Sequence, residues 1–195
     1  MKNVFVLILV TLSFIFNGCS DSPRNVKIVE NGSTKKDEQN KEFNYNSIKI
    51  IRIVDGDTFE IENGEKVRLI GIDTPEKFES NKLNKDSEIS RKDKQLIKKL
   101  GELSSNYTEK ELLNKKVKLV MDSTNSNKDR YGRLLRYAYL NDTLLFNLKI
   151  IKDGFAYAYT KYPFIYLEQF LLAQREAREN KNGLWGDLDF IDLGK

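Results

Sequence analysis

The chain has 195 residues, a formal charge of +4, one cysteine and no histidine. Catalysis by imidazole is therefore excluded, and so is a fold held by an internal disulfide. The basic surplus is modest: it permits a polyanionic partner without announcing one.

Met1-Lys2-Asn3 is a short basic start, and Val4 to Phe16 is apolar except for Thr11 and Ser13. That run is shorter than the ~20 residues of a membrane-spanning helix, which favours an export signal. Asn17-Gly18-Cys19-Ser20 follows. The segment resembles a bacterial lipoprotein signal, with Phe16 where leucine is commoner. The resemblance implies a signal peptide over 1–18, cleavage before Cys19 and lipidation of its thiol. An ordinary secretory signal with an incidental cysteine is the plainer alternative, but a single cysteine in an exported chain needs a reason. Residues 19–46 read as the lipidated cysteine and a flexible tether, because Asn31 to Lys41 is polar and lacks apolar periodicity. The expected folded domain is 47–190, a usual size for one core.

Within it, Ser47–Val54 and Thr58–Ile61 alternate as strands. Glu62-Asn63-Gly64-Glu65 is a tight turn, and Lys66–Ile72 is a third strand stopped by Asp73-Thr74-Pro75. Lys77–Asn84 reads as loop. Ser87–Leu113 reads as helix broken near Gly101 and Ser104-Ser105-Asn106, with a second piece from about Thr108 to Asn114. Strands are expected at Val117–Met121 and Leu134–Leu140, then a helix at Leu144–Lys152 closed by Gly154. Phe155–Thr160 reads as extended and Ile165–Asn180 as a long helix ended by Asn182-Gly183. Phe59, Leu134, Leu171 and Trp185 are assigned to the core. The order predicts an α+β fold: a five-stranded OB-type barrel with packed helices.

The chemistry concentrates in Asp55-Gly56-Asp57-Thr58 and Arg68-x₄-Asp73-Thr74-Pro75-Glu76. Carboxylates at strand ends can converge on a hard cation, and an arginine beside it suits a phosphate. Each residue alone has a bland explanation. Asp55 and Asp57 could be a turn, Arg68 a solvated strand position, Glu76 a surface ion pair, and Asp129-Arg130 a charged loop.

Together with Asp129-Arg130-Tyr131-Gly132-Arg133 downstream, in that order, these motifs resemble the staphylococcal nuclease family. The resemblance covers roughly Ile48 to Gly186. It implies an OB-fold endonuclease that cuts DNA and RNA with one Ca²⁺. By position it implies Asp57, Asp73 and the Thr74 carbonyl as metal ligands, with Asp55 acting behind them through water. Arg68, Arg133 and Glu76 match the catalytic residues. Arg130 and Tyr131 match contacts to the neighbouring phosphate. Tyr159 and Tyr162 are candidate nucleotide contacts, with Tyr157 an open alternative. The lysine-rich stretch from Lys77 to Gly101 is longer than in compact members; it could guide nucleic acid or be a solvated helix. The expected protein is a monomer exported to the cell envelope, anchored to a membrane through Cys19. The competing readings are a non-catalytic nucleic-acid-binding lipoprotein on the same fold and a structural surface protein.

Overall fold

A computed structural model describes residues 43–90 and 93–186. The signal segment, Cys19 and the tether up to residue 42 lie outside the described residues, as do 187–190 of the expected domain. No described helix is long and apolar enough to cross a membrane.

The chain begins as a meander. β1 (Ile48–Asp55) pairs antiparallel with β2 (Thr58–Ile61), and β2 with β3 (Lys66–Leu69). Alternation places Ile48, Ile50, Phe59, Ile61, Val67 and Leu69 inside, each essentially without exposure. β5 (Lys116–Val120) pairs with β1, and β6 (Leu134–Leu140) pairs with β5. The barrel closes because β6 also pairs with β3, in parallel, with Arg68 opposite Leu135. These five strands form the expected OB-type barrel. Phe59 and Leu134 lie in its core as read from the sequence.

Several elements depart from the sequence reading. The third strand stops at Leu69. Gly71 turns the chain at φ +74°, where a side chain would be strained and would strike the Phe164 ring. Ile72 and Asp73 then form a separate strand, β4 (Ile72–Asp73), paired with β8 (Tyr157–Ala158), which is the core of the expected extended segment. α1 (Asn81–Ser90) begins inside the stretch read as loop, because Ser80 caps it: its hydroxyl accepts the Leu83 N–H at 3.0 Å.

α2 (Lys94–Leu112) is one continuous helix of 19 residues, capped by Asp93, and the expected break is absent. Its small residues serve packing. Ser104 returns its hydroxyl to the Leu100 carbonyl, and the Thr108 hydroxyl donates to the Gly56 carbonyl at 2.7 Å. Gly101 lies so close to the Pro75–Lys77 backbone that an added Cβ would meet it at 2.7 Å.

A two-residue strand, β7 (Leu144–Leu145), precedes α3 (Phe146–Lys152). α4 (Leu167–Glu179) packs on α3 and β8 and buries Phe170, Ala173 and Ala177. Leu171 and Trp185 are only half-buried, contrary to expectation. Leu184, beside Trp185, takes the buried position in the 3₁₀ turn Gly183–Trp185. Packing also includes Tyr45, whose hydroxyl donates to Glu65 at 2.6 Å and whose ring lies beneath the Arg136 guanidinium.

Candidate active site

Three turns and one strand converge on an open cleft of about 960 Å³. The first turn joins β1 to β2 and carries Asp55 and Asp57. The second follows β4 and carries Thr74 and Glu76. The third precedes β6 and carries Asp129 to Arg133. Arg68 reaches the cleft from β3, between them.

Asp57 is buried and acts as a hub. Its Oδ1 accepts the Thr58 hydroxyl at 2.9 Å, and its Oδ2 accepts the Thr74 N–H and hydroxyl, each at 3.3 Å. Arg68 pairs with Asp57 through Nη1, and with Asp73 Oδ1 at 3.1 Å through Nη2. The same Nη2 donates to the Ile72 carbonyl at 3.1 Å. One guanidinium thus ties both carboxylates that the sequence assigns to a metal. Burial pushes the Arg68 guanidinium below its ordinary value, Asp73 opposes that shift, and Arg133 adds to it. The last contribution places a second positive charge nearby.

Arg133 is aimed by Asp129. Nε donates to Asp129 Oδ2 at 2.8 Å and Nη2 pairs with the same oxygen at 2.7 Å. Asp129 Oδ1 also accepts the N–H groups of Tyr131 and Arg133. Burial alone would raise this carboxyl, but the Arg133 side chain and the two backbone donors outweigh it and hold it below the usual range. Arg133 Nη1 then reaches the Thr58 hydroxyl at 3.3 Å.

Asp55 is committed elsewhere. Its Oδ1 accepts the Gly56 N–H at 2.8 Å and the Ser105 hydroxyl of α2 at 3.1 Å. Burial raises its carboxyl, and the charge of Glu76 adds to that. Glu76 is held through Oε2 by the Ser80 hydroxyl at 3.3 Å.

The aromatic candidates separate. Tyr131 is exposed at the cleft, with the Arg130 guanidinium 4.7 Å and the Arg133 guanidinium 5.5 Å from its ring centre. Tyr159 and Tyr162 also line the cleft, with ring centres 6.2 Å apart. Tyr157 packs edge-on against Trp185 instead.

Of the residues expected to hold the metal, Asp57 is paired with Arg68, while Asp73 and Thr74 meet a second cation. Among the described residues no group of three or more Asp, Glu, His or Cys side chains could hold a metal ion. The oxygens that do share a cation are Asp73 Oδ1, the Thr74 carbonyl and Glu76 Oε1, each 3.0 Å from Lys82 Nζ. The donor chemistry still fits a hard divalent ion: two carboxylates and a carbonyl, with no nitrogen or sulfur. Burial works against the Lys82 ammonium, but Asp73 and Glu76 outweigh it and raise its affinity for the proton.

Lys82 carried no signal in a polar, lysine-rich run. Ser104 and Ser105 signalled a helix break, and Thr108 the start of a second helix, rather than support for the first turn. Asp129 was visible only as part of the downstream motif.

A family model described as staphylococcal nuclease homologue matches residues 66–187. The chain belongs to the staphylococcal nuclease family. The thermonuclease of Staphylococcus hyicus is 34% identical over 148 residues, covering 74% of this chain and 78% of that one. The thermonuclease of Staphylococcus intermedius is 37% identical over 142 residues, covering 69% and 73%. An uncharacterised protein of Methanocaldococcus jannaschii is 39% identical over 148 residues, covering 70% of each chain. This member is thus a nuclease, a phosphodiester hydrolase.

Proposed function

We propose that this nuclease is a Ca²⁺-dependent endonuclease of DNA and RNA, working as a monomer. The observation that carries the reading is the convergence of Arg68 and Arg133 with the Asp57, Asp73 and Glu76 carboxylates on one open cleft, with the Thr74 backbone adjoining Asp57. The Asp57 and Asp73 carboxylates and the Thr74 carbonyl would hold the ion, with Asp55 behind them through water. Bound there, Ca²⁺ supplies Lewis-acid polarisation of a phosphoryl oxygen and of the attacking water.

Arg68 and Arg133 present guanidinium donors to the non-bridging oxygens as charge builds on phosphorus. Both are fixed before substrate arrives, Arg68 by two carboxylates and Arg133 by Asp129, so little reorganisation is needed. Glu76 orients the water and takes its proton as the water oxygen bonds to phosphorus and the P–O bond to the leaving sugar oxygen breaks, that oxygen taking a proton from solvent. Arg130 and Tyr131 contact the adjoining phosphate. Tyr159 and Tyr162 offer faces on which bases of any identity can stack.

The reading extends to location. The Gly18-Cys19 pair after an apolar run supports export and lipid anchoring of the mature chain at Cys19.

The test is cleavage of supercoiled plasmid and of single-stranded RNA by the purified protein across a Ca²⁺ titration. Cutting of both substrates that stops with chelator, and that Arg68→Ala, Glu76→Ala or Arg133→Ala each lower by about 10²-fold or more, is expected. Undiminished cleavage in chelator or in all three variants would refute the assignment. For the anchor, fatty-acid labelling of the wild type but not of Cys19→Ala is expected; equal labelling would refute it.

A further inference from the structure

Lys82 makes contacts that a surface lysine does not need. Its ammonium nitrogen lies 3.0 Å from each of three oxygens: it donates to Asp73 Oδ1 and the Thr74 carbonyl and pairs with Glu76 Oε1. Two of those oxygens belong to the residues assigned above to the divalent ion. The third belongs to the carboxylate assigned to the water. Lys82 is therefore a compact point charge on the oxygens of the cation site.

Its place in the fold is built. Lys82 stands in the first turn of α1, where the helix dipole disfavours a positive charge, so the three oxygens hold it there and the helix does not. The next residue, Leu83, is fully buried and fixes the start of α1. Ser80 caps the helix and also binds the other oxygen of Glu76. The lysine stem is thereby directed at the loop from Asp73 to Glu76. The side chain remains 37% exposed, so the ammonium has a path back to water.

We infer that Lys82 is a tethered competitor of the divalent cation. In the metal-free enzyme it neutralises Asp73 and Glu76 and keeps them and the Thr74 carbonyl converging. A divalent ion gains those oxygens only by displacing it, because two cations on the same ligands repel at short range. The preformed loop comes at a cost in metal affinity, so Lys82 sets the ion concentration at which the site loads. This rests on the Ca²⁺ reading given above.

The test is Ca²⁺ affinity by isothermal titration of the full chain in detergent, for the wild type, Lys82→Met, Lys82→Gln and Lys85→Met. Lys85 is an exposed lysine of the same helix, so its loss changes net charge equally without touching the oxygens. Lys82→Met and Lys82→Gln are expected to bind at least about tenfold tighter than Lys85→Met, whose affinity stays near wild type. Equal or weaker binding by both Lys82 variants overturns the proposal and leaves the Ca²⁺ reading standing. No Ca²⁺ binding by any form overturns both. A second measurement needs no variant: amine acetylation of the wild type, read by mass spectrometry. Lys82 is expected to be protected relative to Lys85 without metal and to gain reactivity as Ca²⁺ saturates. Unchanged or falling Lys82 reactivity at saturation overturns the proposal.

Discussion

The Thr58 hydroxyl lies 3.3 Å from Arg133 Nη1, joining the first turn of the cleft to the last across 75 positions of sequence. Thr58 also stands opposite Arg68 in the β2–β3 register. A single threonine therefore sits between the two arginines, and its hydroxyl is spent on the Asp57 carboxylate at 2.9 Å. Its neighbours on both sides are the two guanidiniums proposed to stabilise charge on phosphorus.

Removing either guanidinium should cost what losing a fixed donor to a developing oxyanion costs. Arg68→Ala and Arg133→Ala are expected to lower kcat by about 10²–10³-fold. Asp129→Asn keeps Arg133 but loosens its aim, and should lower kcat by a smaller factor, about 10-fold. Steady-state cleavage with a defined oligonucleotide checks the ranking; an Asp129→Asn enzyme with wild-type kcat would contradict it.

Gly101→Ala places a methyl against the backbone that carries Glu76. The clash at 2.7 Å is with main chain, which cannot swing aside. Overpacking of this kind costs about 1–3 kcal/mol. The loop bearing Thr74 and Glu76 should shift, so cleavage is expected to fall by more than the fraction unfolded. Urea denaturation and kcat measured on the same preparation separate the two effects.

Asn147 is fully buried at the seam between α3 and the barrel. Its Oδ1 accepts the Ala138 N–H at 3.0 Å and its Nδ2 donates to the Ile70 carbonyl at 2.9 Å. Asn147→Leu strands both backbone groups without water, at about 1–3 kcal/mol each. A fall in the urea midpoint of corresponding size is expected, and an unchanged midpoint would show that the backbone finds other partners.

Asp122 titrates in acid with a defined sign. Burial would raise its carboxyl, but donors from Thr124, Tyr137 and the Ile165 N–H outweigh it and bring it down to about 2. A folded value below the unfolded one means that the stabilisation is full above about pH 4 and is lost as pH falls through about 2. The contribution is on the order of 2 kcal/mol. Asp122→Asn should flatten the acid limb of the stability curve in that window. Because Asp122 also ties down Ile165, the loop behind Tyr162 should loosen and KM should rise.

The tyrosines divide by position. Tyr159→Ala and Tyr162→Ala remove cleft faces and should raise KM for single strands, by about tenfold where a base stacks. Tyr157→Phe keeps the packing on Trp185 and should leave KM unchanged. If Tyr157→Phe alone weakens binding, the tyrosine assignment is reversed.

Much of this site was legible because its first half is local. Asp55 to Glu76 is a meander whose alternation and turns show in a short window, and its acids and Arg68 stand at strand ends. The barrel closure was not legible from periodicity, since Val67 meets Leu134 in parallel across a long separation. Gly101, Ser104 and Ser105 misled because the residues that break an isolated helix are also those that let a helix approach a backbone turn closely. Lys82 was invisible because nothing local distinguishes it from Lys77 or Lys85. Its meaning comes from Ser80 starting a helix where polarity suggested loop.

The parallel seam between β3 and β6 has a consequence for timing. Arg68 and Arg133 stand on opposite sides of it, so a chain still emerging from the ribosome holds the first arginine and the acids without the second. The two guanidiniums therefore come together only when β3 and β6 pair, so the site exists only in the closed barrel.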